Sequence, residues 1–183
     1  MNSTKHLILF ITLLILVGCN SNPETPGEQI LEVSEGKFVS QDNMFRLTMY
    51  LDKLEFNHDE KINIHSTLEY IGKKKEVSIW HGYPYINYTI TNGQDFSTGG
   101  ITMPVLTSSK LKNGEIYEFP YKKTGGYSEE DSNAEFWREF YKEKDLYLPK
   151  GKYKVKVYCN FSLNKDNPNS DYNNQIEVEI TVN

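Results

Sequence analysis

The chain has 183 residues, of which 25% are charged, and its formal net charge of −5 gives an isoelectric point near 5.4. This acidic balance argues against nucleic-acid binding, and no basic cluster is interleaved with aromatic residues. The run KKK at 73–75 lies in a turn and is expected to be solvated. The length suits one domain with a single core.

The N-terminus opens with an apolar stretch, LILFITLLILVGC, at 7–19. Its uninterrupted apolar part is too short for a transmembrane helix, which needs about 20 residues. A positive start at Lys5, an apolar run and small residues at its end are typical of a secretory signal peptide. Residues 16–19, LVGC, resemble the bacterial lipobox, whose cysteine receives diacylglycerol. The alternative is an ordinary signal peptide in which Cys19 occurs by chance.

The lipobox resemblance implies a membrane-anchored protein. Residues 1–18 would be removed, and the lipid on Cys19 would hold the chain at the extracytoplasmic face of the cell membrane. Residues 19–36, rich in Ser, Pro, Glu, Gly and Asn, are predicted to be a flexible tether. The remaining residues, 37–183, are predicted to form one folded domain.

The folded domain alternates apolar and polar residues with a period of two, which predicts β-strands. The alternation covers 45–51, 62–70, 153–163 and 176–182. NHDE at 57–60 predicts a turn, as do the two Asn-Gly pairs at 92–93 and 113–114. The strand that follows the second pair should lie near a sheet edge, because Pro120 cannot donate to an interior ladder.

About seven strands with turns between them predict an all-β fold, and a two-sheet antiparallel sandwich is preferred over a barrel. One helical window, SNAEFWREFYKEK, interrupts the strands at about 132–143. Ser132 and Glu135 fit a capping box, and four aromatic residues form one apolar stripe. The helix is expected to close an end of the sandwich. A surface helix that recognises a partner groove is the alternative.

Two stretches carry a family resemblance. LDKLEFNHDEKINIHSTLEYIG, beginning at Leu51, resembles the first hairpin of bacterial immunoglobulin-like extracellular modules. LPKGKYKVKV, from Leu148, resembles the tyrosine corner of such domains, which implies that the Tyr153 hydroxyl bonds to backbone upstream. The paired cysteines of antibody domains are missing, and Cys159 is predicted to be a small buried residue. The strand openings resemble, less closely, an intracellular proteinase-inhibitor sandwich found in bacteria.

Catalytic and cofactor motifs are not found in the sequence, so the protein is expected not to be an enzyme. Cys159 with His65 or His81 could be proposed as a catalytic thiol pair, but a cysteine within an alternating strand is usually a core residue. The mature histidines, at 58, 65 and 81, lack ligand spacing and are expected in turns or at the surface. The oxygen-rich run 167–173 lacks the glycine and glutamate of a calcium loop, so a solvated hairpin is expected and no metal is predicted.

The most promising binding residues are aromatic. IWHGYPYINY, at 79–88, contains Trp80, Tyr83 and Tyr85, and alternation from Ile79 would leave Trp80 exposed. The alternative is that Trp80 fills the core, like the strand-C tryptophan of immunoglobulin domains. The sequence thus predicts a lipid-anchored binding domain for a protein, wall polymer or saccharide. An inhibitor of extracellular proteases is the second hypothesis.

Overall fold

The computed structural model describes residues 31–166 and 171–183, with residues 31–33 as backbone only. These residues form twelve strands and one helix, and no helix among them is long and apolar enough to cross a bilayer. In chain order the elements are β1 (Leu31–Ser34), β2 (Lys37–Gln41), β3 (Phe45–Leu51), β4 (Glu55–Phe56), β5 (Ile64–Tyr70), β6 (Glu76–Tyr83), β7 (Ile86–Thr91), β8 (Ser97–Gly99), β9 (Met103–Lys112), β10 (Ile116–Pro120), α1 (Ala134–Lys142), β11 (Gly151–Phe161) and β12 (Tyr172–Val182).

Ten of the strands form two five-stranded sheets, and the remaining two form a separate ribbon. The first sheet has the order β1-β2-β3-β5-β10, the second has the order β4-β12-β11-β7-β8, and β6 pairs with β9. Every pair is antiparallel except β4 with β12. The prediction of an all-β sandwich with a short helix is confirmed. The strands outnumber the expected seven because short pieces such as β1, β4 and β8 carry too few residues to show a period.

The core lies between the two sheets and follows the predicted alternation. Alternate residues of β3, β5, β11 and β12 point inward and are buried, among them Leu47, Leu68, Val155 and Ile176. The outward positions of β11 carry lysines that form ion pairs across the ladder with Glu177 and Glu179 of β12. Each sheet therefore has one dry and one solvated face, as antiparallel sheets commonly do.

The predicted turns are present. The N–H of Glu60 donates to the carbonyl of Asn57 at 3.0 Å, which closes the acidic turn. Gly93 and Gly114 adopt φ of 75° and 76°, a left-handed conformation that only glycine adopts without cost. In the first of these turns, Asn92 Oδ1 also accepts the N–H groups of Gln94 and Phe96. Strand β10, which contains Pro120, forms an edge of the first sheet, as predicted.

The tyrosine corner is also formed. The Tyr153 hydroxyl donates to the carbonyl of Pro149 at 2.9 Å, and the side chain is buried. A second tyrosine links the two sheets: Tyr88 of β7 donates to the carbonyl of Phe119 and accepts from the Ser66 hydroxyl of β5, both at 2.6 Å. These bonds use the polar ends of side chains whose rings fill the core.

The helix closes one end of the sandwich, which we call the helix end. Trp137 and Phe140 are buried and surround Phe96, with ring centroids 5.2 and 5.4 Å away. The predicted capping box is wrong, because the N-cap is Asn133 and makes no side-chain capping bond. Ser132 lies one residue too early, since the segment before the helix turns through the bond from Ala134 N–H to the Asp131 carbonyl.

Several predictions concern residues outside the described part of the chain. The signal peptide, Cys19 and most of the tether fall there, and so do Asn167 and Asn169 of the oxygen-rich loop. Part of the predicted tether, residues 31–34, belongs to the first sheet, because β1 pairs with β2, and residues 35–36 form the turn between them. The polar composition of 19–36 gave no indication of β1, which is stabilised by its pairing with β2.

Candidate functional site

The ribbon of β6 and β9 bridges the two sheets at the end opposite the helix, which we call the ribbon end. At its base, the N–H of Gly114 donates to the carbonyl of Tyr70, the last residue of β5. In its middle, the backbone groups of Trp80 and Ser162 exchange hydrogen bonds of 2.9 and 2.7 Å. Because Ser162 follows β11, these bonds connect the ribbon to both sheets.

The inner face of the ribbon completes the core. Ile79 and Leu111 are buried, and His81 is only 4% exposed. His81 Nδ1 lies 2.6 Å from the carbonyl of Gly82, and Nε2 lies 2.9 Å from the Ser109 hydroxyl. A carbonyl only accepts, so Nδ1 carries the proton and Nε2 of the neutral ring accepts from Ser109. Burial lowers the pKa of His81, which favours this neutral ring.

The burial of His81 corrects one prediction. Of the three histidines in the described ranges, His58 and His65 are exposed as expected, and His65 stacks on Tyr50 at 4.4 Å. His81 is not at the surface, because it shares the inward face of β6 with Ile79. Side chains two residues apart on a strand point to the same side.

The outer part of the ribbon exposes a group of large apolar side chains. The register of β6 with β9 shifts between His81 and Tyr83, at Gly82. At this shift and beyond it, five side chains are between 50 and 63% exposed: Tyr83, Ile101, Met103, Val105 and Leu106. We call these five residues the apolar ribbon surface. Several large exposed apolar side chains within one part of a fold often mark a contact site.

A buried amide holds the tip of this surface in place. Asn87 is 4% exposed, and its Nδ2 donates to the carbonyl of Pro84 at 3.2 Å and to the Thr102 hydroxyl at 3.1 Å. The two bonds tie the segment after β6 to the segment before β9. The apolar ribbon surface is therefore fixed by a buried polar side chain, which limits its conformational freedom.

The three predicted binding residues are not all on this surface. Tyr83 is one of its five residues, and Trp80 is half-buried on the outer face of β6 and is not part of the core. Tyr85 turns inward, with ring centroids 4.4 Å from His81 and 5.2 Å from Phe119. Burial raises the pKa of Tyr85 to about 12. Trp80 and Tyr83 are accessible from solvent, whereas Tyr85 packs against the core.

Four members of the surface were missed by the sequence analysis, namely Ile101, Met103, Val105 and Leu106. A signal for them exists: residues 96–109 contain no charged side chain, in a chain that is 25% charged. Uncharged apolar segments are usually core, so the exposure of this one depends on its pairing with β6 outside the two sheets.

A second concave surface lies at the helix end. A cavity of about 400 Å³ is lined by the aromatic residues Phe136, Phe140 and Tyr147 and by the acidic residues Glu135, Glu139 and Glu143. Lys123 stands at its edge, where Nζ donates to the carbonyls of Phe140 and Glu143 at 2.7 and 2.8 Å. These are unpaired carbonyls of the last helical turn, so Lys123 caps the helix. Burial lowers the pKa of Lys123.

Metal and nucleophile chemistry find little support in the described part of the chain. No group of three His, Cys, Asp or Glu side chains there could hold a metal ion. Cys159 is 1% exposed, within the inward face of β11. In the oxygen-rich loop, Asp171 Oδ1 accepts the N–H of Leu163 at 2.8 Å, which is the bonding of a hairpin turn.

Comparisons with known proteins add little to this description. No family model matches the chain, and no curated protein matches it. Among solved structures, the sporulation control protein Spo0M of Bacillus subtilis is similar, with a TM-score of 0.40 and 12% identity. The match covers 77% of this chain and 50% of Spo0M, so the chain spans half the length of that relative.

Proposed function

We propose that the protein is a lipoprotein, anchored through Cys19 on the extracytoplasmic face of the cell membrane, and that its sandwich is a binding module without catalytic activity. The apolar ribbon surface carries this proposal. Five large apolar side chains outside both sheets are exposed to solvent, although their burial would be favourable. A contact that covers them accounts for their exposure. Trp80 and Tyr83 belong to that contact surface.

The anchor is tested separately from the surface. In Cys19→Ser, labelled fatty acid should no longer be incorporated, and the protein should leave the membrane fraction or remain an unprocessed precursor. The matched control is Cys159→Ser, which keeps the lipobox and should be acylated like the wild type. Continued incorporation of fatty acid into Cys19→Ser contradicts the anchor.

The contact surface is tested by a photo-crosslinking amino acid placed in the chain on intact cells. At position 106, within the apolar ribbon surface, the crosslinker should form adducts at high yield. The control is position 152, an exposed site on β11 whose lysine forms an ion pair with Glu179 at 3.2 Å. Equal yields at both positions contradict the assignment. The chemical nature of the adducts distinguishes protein, saccharide and lipid.

Inhibition of extracellular proteases is the second candidate, favoured by one observation. Residues 101–106 are exposed and include the start of β9, and proteases bind such exposed extended segments. Incubation with extracellular proteases separates the cases: an inhibitor stays intact while the activity of the protease falls. Rapid cleavage between 101 and 108 would make this segment a substrate and exclude the inhibitor.

A further inference from the structure

The chemistry of the ribbon end narrows the choice of partner. Its exposed apolar side chains include Tyr83 and are accompanied by Trp80, and both of these rings carry a polar edge. At the base of the ribbon, Lys73, Lys74 and Lys75 are exposed, and none of them forms an ion pair within the described ranges. Apolar residues together with Tyr and Trp are the composition that settles at a membrane–water interface, and the three lysines lie at the other end of the ribbon.

The strand edge of the ribbon is a poor template for a protein strand. The backbone N–H and C=O of Trp80 point toward Ser162 and so away from β9. Its partner Ser108 is therefore not hydrogen-bonded to β6, and the backbone groups of Ser108 and Leu106 point to the free edge of the ribbon. Farther along that edge, the N–H of Lys112 already donates to the Tyr117 hydroxyl at 2.9 Å. In the other direction, Pro104 has no N–H. The free edge is therefore short, whereas the apolar side chains are many.

The register also places two extra residues of β9 beside the shift in β6. Four steps on β9 separate Met103 from Thr107, while two steps on β6 separate their partners Tyr83 and His81. Such a bulge twists the edge away from regular pairing. A lipid surface accepts irregular apolar projections, while a partner strand does not.

The first described residue, Leu31, lies on the side of the ribbon end. β5 ends there at Tyr70, which pairs with Phe45, the first residue of β3. β2 runs opposite to β3, and β1 runs opposite to β2 with Leu31 beside Val39, so β1 begins on the side of the ribbon end. Eleven residues separate Cys19 from Leu31, and they can span at most about 40 Å. This short connection keeps the domain near the bilayer at a high effective concentration.

We propose that the apolar ribbon surface lies on the lipid bilayer that holds the anchor, with Tyr83 and Trp80 at the level of the headgroups. This proposal rests on the proposed anchoring through Cys19. The contact fixes the orientation of the domain, because the ribbon end and the helix end are opposite. The cavity beside Phe136 and Glu139 then faces away from the membrane and is open to the surroundings.

The test uses the acylated full chain in phosphatidylcholine vesicles whose acyl chains carry bromine, which quenches tryptophan emission at short range. Reporter tryptophans are introduced as Val105→Trp and, for the control, Tyr147→Trp at the helix end. Both are placed in a Trp80→Phe/Trp137→Phe background. Emission of the reporter at 105 should fall by about half on passing from plain to brominated vesicles, while the reporter at 147 should change little.

A second measurement avoids the altered background. In the chain with both native tryptophans, brominated vesicles should quench part of the emission, and Leu106→Asp should abolish that part while the protein still floats with the vesicles. The matched variant Tyr147→Asp at the helix end should leave the quenching as in wild type. Because Leu106 is exposed, the substitution does not threaten the core.

The possible outcomes separate the two proposals. Protein that does not float with vesicles refutes the anchor and the ribbon contact with it. Protein that floats but shows equal emission from the reporters at 105 and 147 refutes the ribbon contact alone. In a third outcome, the emission of the reporter at 105 changes with the number of protein molecules per vesicle and not with bromine, and the detergent-solubilised protein sediments as a dimer. A second copy of the chain then covers the surface, and the lipid contact is wrong.

Discussion

The substitution Tyr153→Phe deletes one oxygen atom and thereby removes the hydrogen bond of the tyrosine corner. The hydroxyl donates to the carbonyl of Pro149, four residues upstream, and so fixes the connection that enters β11. The ring itself packs edge-on against Phe96 at 5.3 Å, and phenylalanine preserves that contact. The substitution therefore isolates the hydrogen bond and leaves no cavity larger than an oxygen atom.

The magnitude follows from the surroundings of the two partners. An intramolecular hydrogen bond contributes about 1 kcal/mol net, and a buried acceptor left unpaired costs up to about 3 kcal/mol. Tyr153 is buried but Pro149 is exposed, so water can reach the freed carbonyl. We expect the free energy of unfolding to fall by about 1 to 2 kcal/mol. Burial raises the pKa of Tyr153, so the hydroxyl stays protonated and the loss is the same throughout neutral pH.

Urea unfolding followed by circular dichroism measures this loss through the shift of the midpoint at constant slope. The control is Tyr83→Phe, which removes an exposed hydroxyl and should change the free energy of unfolding by less than about 0.5 kcal/mol. A Tyr153→Phe protein as stable as wild type would show that the corner does not hold the sheets together. A changed slope would mean that the substitution alters the unfolded or the native state, and the shift of the midpoint would then not measure the hydrogen bond.

Three further predictions concern buried side chains. Trp137→Ala should lower the free energy of unfolding by about 3 to 5 kcal/mol, because it removes a buried ring from the aromatic cluster at the helix end. Trp80→Ala should lower it far less. The opposite order in thermal unfolding would contradict the placement of both tryptophans. Because burial lowers the pKa of His81, the unfolded chain binds the proton more readily, so stability should fall as the pH drops below 6.5. His81→Asn should flatten this dependence in pH-dependent unfolding, and His65→Asn should not. The Cys159 thiol should react with a thiol reagent only after denaturation, and rapid labelling of the native protein would contradict its burial.

The two sheets could be predicted from sequence because their strands obey a simple rule. Each of β3, β5, β11 and β12 faces the core on one side and water on the other, so the apolar pattern has a period of two. The same rule, carried two residues farther from Ile79, would have placed His81 inward. The glycine at 82 then interrupts the alternation, which is why Tyr83 is exposed while Tyr85 is not.

The apolar ribbon surface could not be predicted in the same way. Residues 101–109 carry no alternation, contain Pro104, and have no charge to mark them as solvated. Their strand structure comes from pairing with β6, at least twenty residues earlier, and their exposure comes from lying outside both sheets. Both properties belong to long-range topology, which the composition of a short segment does not encode.

The two ends of the sandwich differ in a way that bears on function. At the helix end, Phe96, Trp137 and Phe140 bury one another, so the aromatic side chains there are accounted for by the stability of the fold. At the ribbon end, the inner face accounts for Ile79 and His81, but nothing in the described residues covers the apolar ribbon surface. Substitution of its residues should therefore leave the free energy of unfolding almost unchanged. An apolar surface that the fold does not need for stability is best explained by a contact outside the domain.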